Sequence, residues 1–341
     1  MSLGSFIGEA TMRSFLQVAI LFSFVLGCPF AQASALPRPG EFSIEGEILY
    51  VHPIVEQTYF VRAGTFGVPT AKRINNELPW RPAYRLTGIY AFCNGLNDFE
   101  IRGTYLKASH TRHQNTRQTG DFLEPTQGLP LNEAFEHPSF SDSHLRTRYW
   151  AVEGLLGQLL HSYCPFELRV QAGVHYADIQ YREILQYRNT TTPDPLISIV
   201  TNKDHFWGIG PELAFDMQYA LTSYFNGCHL PLHLTGNFRT ALLIGKSKPL
   251  FDQINDGESF FNAEHESIWR LVPSFDLRFG LSYKCAIGHL EIGYEVMHYN
   301  RALHKVTFHH DVVNVTNYAG SEDFYDHFSW HGPYLLLGVS F

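Results

Sequence analysis

The sequence predicts an all-β protein, a transmembrane antiparallel up-and-down barrel of ten strands, and three observations predict it. The chain ends on Tyr334-Leu-Leu-Leu-Gly-Val-Ser-Phe341, where Leu335, Leu337, Val339 and Phe341 alternate with small or polar-tipped neighbours, Leu336 excepted. Period-two spacing of this kind is a strand with one apolar face. Aromatic residues make up 15% of the chain against only 17% charged, yet no segment beyond the amino-terminal run has the uninterrupted apolar length of a spanning helix. Strands that show lipid on one face only keep the average near neutral in this way. The third observation is that the alternation recurs along the whole chain.

The amino-terminal end comes first. Residues 15–30 (FLQVAILFSFVLGCPF) are an apolar run preceded by Arg13 and followed by Ala31-Gln-Ala33. A positive flank, a short apolar core and an A-x-A site predict a secretory signal peptide over 1–33, cleaved after Ala33, with 34–341 as the mature barrel. Residues 1–11 hold Glu9 and no basic residue, which places the functional start at Met12. Val25-Leu-Gly-Cys28 is a weaker rival, a lipoprotein cleavage box, which the A-Q-A site outcompetes.

Strands are expected near 42–52, 82–92, 98–108, 146–162, 166–180, 205–224, 230–245, 267–284, 289–301 and 328–341. The cleanest is FELRVQAGVHY at 166–176, whose apolar set Phe166, Leu168, Val170, Ala172, Val174 and Tyr176 alternates with Glu167, Arg169, Gln171, Gly173 and His175. RYWAVEGLLGQLL at 148–160 is the least regular. Thr58-Tyr-Phe-Val61 offers a further hairpin that would raise the count to twelve. A soluble sandwich alternates as well. Here the polar face carries Gly and opposite-charge pairs (Glu100/Arg102, Glu167/Arg169, Asp276/Arg278), and aromatics sit near strand ends (Tyr50, Tyr105, Tyr176, Tyr219, Tyr283, Tyr294). That combination suits an enclosed lumen with interfacial girdles outside.

Cys93, Cys164, Cys228 and Cys285 each fall in a short break with turn chemistry, such as Asn94-Gly95, Pro165 and Asn226-Gly227. All four are therefore expected on the periplasmic rim, with external loops over 53–81, 109–145, 181–204, 246–266 and 302–327. Neighbouring rim turns stand about 10 Å apart, more than the roughly 7 Å a disulfide spans. Free thiols, crosslinks to other envelope proteins or to further copies of the chain, and internal bridges between bent turns all stay open.

The inward set is expected to be Glu45, Glu47, Arg85, Glu100, Arg102, Glu167, Arg169, Glu212, Asp216, Arg239, Asp276, Arg278, Glu291 and Glu295. Acids outnumber bases in it, which predicts weak cation preference if the lumen conducts. Ten strands lie near the size at which side chains fill a barrel, so a closed structural or adhesive barrel is the alternative. Histidines and acids gather in the expected loops (His309, His310, Asp311; Asp252, Asp256, Glu258) without a metal-binding framework, so no metal and no cofactor are expected. G-x-S-x-G and H-E-x-x-H are absent, and no enzyme is expected, a hydrolase being the least favoured reading. A net charge of −8 argues against nucleic acid as a partner.

Trp207-Gly-Ile-Gly-Pro-Glu-Leu-Ala-Phe-Asp-Met-Gln-Tyr219, the stretch 232–245, Arg148-Tyr-Trp-Ala-Val-Glu153 and Val272-Pro-Ser-Phe-Asp-Leu-Arg-Phe-Gly-Leu281 resemble the Legionella-type major outer membrane protein family. The resemblance implies a pore-forming barrel in the outer membrane of a Gram-negative bacterium, loops outward, assembled by the barrel machinery that reads Leu335, Leu337, Val339 and Phe341. The cysteine-bearing turns look more like the chlamydial members, whose envelope proteins are disulfide-crosslinked. It supplies no catalytic motif.

Overall fold

The structure is a computed structural model that describes residues 39–56, 58–65, 72–116, 121–125, 139–163, 165–189, 196–221, 231–264, 267–285, 287–308 and 321–341. The expected signal peptide, Cys28, Cys164, Cys228 and the His309–Asp311 trio lie outside the described residues.

Fifteen strands make up the described chain. They begin with β1 (Phe42–Val55), β2 (Tyr59–Thr65), β3 (Lys72–Asn75), β4 (Arg81–Ala91), β5 (Asn97–Asn115) and β6 (Asp121–Pro125). Next come β7 (Phe140–Tyr163), β8 (Phe166–Asn189), β9 (Leu196–Ala220), β10 (Leu232–Ser247) and β11 (Leu250–Asn255). The last are β12 (Glu258–Glu264), β13 (Ile268–Cys285), β14 (Gly288–Phe308) and β15 (Ser321–Ser340).

Ten of these close into a ring in the order β10-β13-β14-β15-β1-β4-β5-β7-β8-β9, and β9 pairs back onto β10. Every pairing in the ring is antiparallel, and β1 meets β15, so the first and last strands seal the barrel. Closure leaves no free sheet edge, the condition for β-structure in lipid. The β11–β12 hairpin extends β9 outside the ring. Thr58–Val61 does not add barrel strands: β2 joins β3 and β6 in a separate three-stranded sheet, so the ring has ten strands and not twelve.

One end of the ring holds the start of β1, the end of β15 and the turn at residues 92–96; the other holds the β11–β12 hairpin and the small sheet. The ten strands stand where alternation placed them but run further into the expected loops, β8 reaching Asn189 and β9 starting at Leu196. The cause is a change of medium along each strand. On β8 the outward side chains are Phe166, Leu168, Val170, Ala172, Val174 and Tyr176, then Asp178, Gln180 and Arg182. The inward side chains turn over at the same level, from Glu167, Arg169, Gln171 and His175 to buried Ala177, Ile179, Tyr181, Leu185 and Tyr187. Phe166 to Tyr176 covers about 33 Å of strand, or about 25 Å of bilayer at the usual tilt, the height of a lipid-facing apolar band. Beyond that band water replaces lipid outside, and the barrel continues as an ordinary soluble one with an apolar core.

That upper core gathers Leu49, Val51, Leu106, Tyr149, Phe206 and Trp330 across the ring. A second cluster joins Phe60, Val61, Ile74 and Leu123 of the small sheet to Leu185, Tyr187, Val200 and Phe251. Tyr187 donates to the Phe60 carbonyl at 2.6 Å, and Asn76 donates to Ser143 Oγ at 2.7 Å. Segments 53–81 and 109–145, expected as loops, thus fold in part into a lid over the loop end.

Candidate functional site

Of the expected inward set, Glu47, Arg85, Glu100, Arg102, Arg169, Glu212, Arg239, Asp276, Arg278 and Glu295 are buried and Glu45, Glu167, Asp216 and Glu291 half-buried; Asp98, Glu153, His175 and Lys284 are buried beside them. Register explains how they meet. Directly opposite partners on adjacent strands are Glu47 and Arg85, Arg102 and Glu153, Arg169 and Asp216, Arg239 and Asp276, and Arg278 and Glu295. Opposite charges in that geometry attract across the sheet.

The guanidiniums then reach beyond their neighbours. Arg85 donates to Glu47 at 3.1 Å and takes Glu295 at 2.6 and 2.7 Å. Arg278 lies 3.1 Å from the same Glu47 and 3.4 Å from Glu295. Arg102 holds Glu153 at 2.6 Å and Asp276 at 3.4 Å. Arg239 donates to Glu100 at 2.8 Å and to Glu153 at 3.2 Å. Arg169 binds Asp98, Glu100 at 3.1 Å and Asp216 at 2.7 Å. Five arginines therefore knit the inward carboxylates into two clusters, Arg85 and Arg278 with Glu47 and Glu295, and Arg102, Arg169 and Arg239 with Asp98, Glu100, Glu153, Asp216 and Asp276.

Burial decides what these clusters do. Arg102 is 2% exposed and Glu295 is 0% exposed, although both point into the lumen. In a water-filled channel those charges would be wetted, so side chains fill the barrel at this level. Immediately above, Tyr149 and Tyr299 share a 2.7 Å hydrogen bond, and Phe328 and Trp330 pack against them. Toward the turn end the interior loosens: Glu45, Glu167 and Glu291 are only half-buried. His289 faces Glu45 at 3.5 Å there, and Tyr334 donates to Glu291 at 2.6 Å.

Glu153, His175 and Glu212 bring three ligand-type atoms within 4.8 Å of one another. Arg102 and Arg239 already supply positive charge to this group, Arg239 standing 3.9 Å from Glu212, while Tyr299 holds His175 Nε2 at 2.9 Å. The geometry is that of an internal ion cluster satisfied by the chain's own cations.

The sequence pattern missed Asp98 because it begins a strand, and Glu153 because its strand alternates poorly. Leu335, Leu337, Val339 and Phe341 face outward into the apolar band. Cys93 is exposed in the β4–β5 turn, and Cys285 is buried at the end of β13; both are free thiols.

An inside-out ring with an apolar belt and a charged interior defines an outer-membrane β-barrel. Residues 36–341 match the family described as Legionella pneumophila major outer membrane protein precursor, and the chain belongs to that family. No curated protein sequence matches it. Among solved structures, it is similar to the outer membrane protease OmpT of Escherichia coli at 7% identity and a TM-score of 0.46, covering 91% of this chain and 99% of that one. The translocator domain of the autotransporter NalP of Neisseria meningitidis aligns at 8% identity and a TM-score of 0.35, over 97% of both chains. The Pseudomonas putida toluene transporter TodX aligns at 6% identity and a TM-score of 0.31, over 90% of this chain and 92% of that one.

Proposed function

We propose that this chain is a closed envelope barrel, a structural protein of the outer membrane that carries a folded lid at its loop end and performs no catalysis. The observation that carries this is the pair of buried arginine–carboxylate clusters that fill the lumen, roofed by the Tyr149–Tyr299–Trp330 layer. Opening a path through it would strand buried charges at several kcal/mol each. Acids near His175 are held by arginines and are not poised as bases, which supports the absence of catalysis. The loop end is taken to face outside and the Cys93 and Cys285 turns the periplasm, where exposed Cys93 suits a crosslink to a neighbouring envelope protein or a second copy. The leader is taken to be removed after Ala33, with lipid and the assembly machinery as the other partners. The test is single-channel recording of refolded protein in planar bilayers. Silence, with the heat-modifiable gel mobility of a folded barrel, is the expected result; steady openings in the unmodified protein refute it.

The passive pore with weak cation preference is the second reading. It draws on the excess of acids over bases in the interior and on half-buried Glu45, Glu167 and Glu291 at the turn end. It requires the network to rearrange, and an anion-selective reversal potential would exclude its charge bias.

A further inference from the structure

Just above the apolar band, the outward face of β5, β7, β8 and β9 gathers Lys107, Arg146, Arg148, Arg182 and Lys203. Arg146, Arg182 and Lys203 stand directly opposite one another across three adjacent strands. One step nearer the membrane, Lys107 faces Arg148. Like charges in direct cross-strand register repel, so the row costs stability unless an anion covers it. The outward acids on these strands are already occupied: Asp178 accepts from His205 at 2.8 Å and from Gln180 at 3.2 Å, and Asp142 pairs with His113. Asp204, at the border, is turned inward and accepts from Ser247 at 2.8 Å and from the His304 amide at 2.6 Å.

The row is also a formed site. Arg146, Arg148, Arg182, Lys203 and Lys248 line a groove of about 510 Å³ with His205 and a single acid, Asp204, and Leu250 of the β11–β12 hairpin closes one side. Arg148 Nε is buried in the fold without a hydrogen-bond partner. Directly below are Trp150, Tyr176 and Trp207, the aromatic girdle that marks the edge of the hydrocarbon. Arg148 and Arg146 rise about 5 and 10 Å above that edge, the level of lipid phosphates. The band is one-sided, since the same level on β14, β15 and β1 presents His298, His327, His331 and His52 instead.

We propose that this groove binds the phosphate groups of an anionic outer-leaflet glycolipid, with the acyl chains lying against Trp150, Tyr176 and Trp207. Guanidinium forks match phosphate oxygens in charge and geometry, and the apolar belt below matches the tails. The inference rests on the lipid belt and is independent of whether the lumen conducts.

The experiment uses refolded full-length chain in zwitterionic micelles, with tryptophan fluorescence as the readout and diphosphoryl lipid A, its dephosphorylated form and inorganic phosphate as probes. The expected result is binding of the diphosphoryl form at least about tenfold tighter than the dephosphorylated form, lost about tenfold in the R146Q/R182Q/K203Q variant, with millimolar phosphate neither binding nor competing. Equal affinity for the two lipids, or full affinity in the variant, overturns the proposal. Binding of inorganic phosphate as tight as that of the lipid overturns the lipid assignment. Because the variant removes repulsion, its lipid-free unfolding temperature should equal or exceed that of the unmodified chain; a variant that cannot fold contradicts the repulsive row on which the proposal stands. A silent or conducting bilayer leaves these results unchanged.

Discussion

The Arg85 guanidinium grips both oxygens of Glu295, at 2.6 and 2.7 Å, across the lumen from β4 to β14, with β15 and β1 lying between them in the ring. Neither side chain touches water. The contact is a strut, tying strands that share no backbone hydrogen bond. Arg85→Ala leaves Glu47 and Glu295 with Arg278 alone, and should lower unfolding stability in detergent by about 3–5 kcal/mol. Urea titration followed by heat-modifiable mobility measures it. A loss under about 1 kcal/mol would mean the network adds little beyond filling space.

Conductance should appear only when both layers of the plug are cut. Arg102→Ala with Arg239→Ala removes two hubs but leaves the Tyr149–Trp330 roof, so bilayers should stay silent. Adding Trp330→Ala, a side chain 1% exposed, should admit ions. Openings from the charge variant alone would show that the aromatic layer does not seal.

The two described cysteines should differ sharply toward an impermeant maleimide. Cys93 is exposed in its turn and Cys285 is buried, so Cys93 should label at least about tenfold faster. In cells, labelling of Cys93 should require permeabilised outer membrane. Labelling in intact cells would put the turn end outside and reverse the orientation proposed above.

Stability of the loop end should depend on Asp204. Burial pushes its carboxyl up to about 6, although Ser247 and the His304 and His205 amides pull it down. The folded state therefore binds this proton more tightly than the unfolded chain. Its contribution is complete below about pH 4 and is lost as pH rises through about 6, by at most about 2–3 kcal/mol. Burial raises Asp326 in the same sense, and hydrogen bonding to Asp178 raises His205, so both add to the trend. Amide protection in β9, β10 and β14 near Asp204, taken relative to the intrinsic exchange rate at each pH, should fall from pH 5 to 7, and Asp204→Asn should flatten part of that change. An unchanged profile in the variant would assign the dependence to the other two groups.

Alternation made the ten ring strands legible, since Phe166, Leu168, Val170 and their like needed only a common face. It was equally plain which charges turned inward. The alternation ends at the edge of the apolar belt, so by pattern alone the strands stop too early: Ala177, Ile179 and Tyr181 look like loop once Asp178 and Arg182 break the pattern. They are strand still, with inside and outside exchanged. Thr58–Val61 looked like more barrel because a local run of β-formers carries no information about which strand it will pair with.

By itself, the sequence determined that one side of each strand is greasy and the other charged, because the period of two is a property of a single extended chain. Only the tertiary structure decided that Arg85 finds Glu295 and that Arg146, Arg182 and Lys203 crowd into one row. Those relations depend on register and ring closure, which bring together residues such as Arg85 and Glu295, 210 positions apart, through backbone hydrogen bonds that no local pattern encodes.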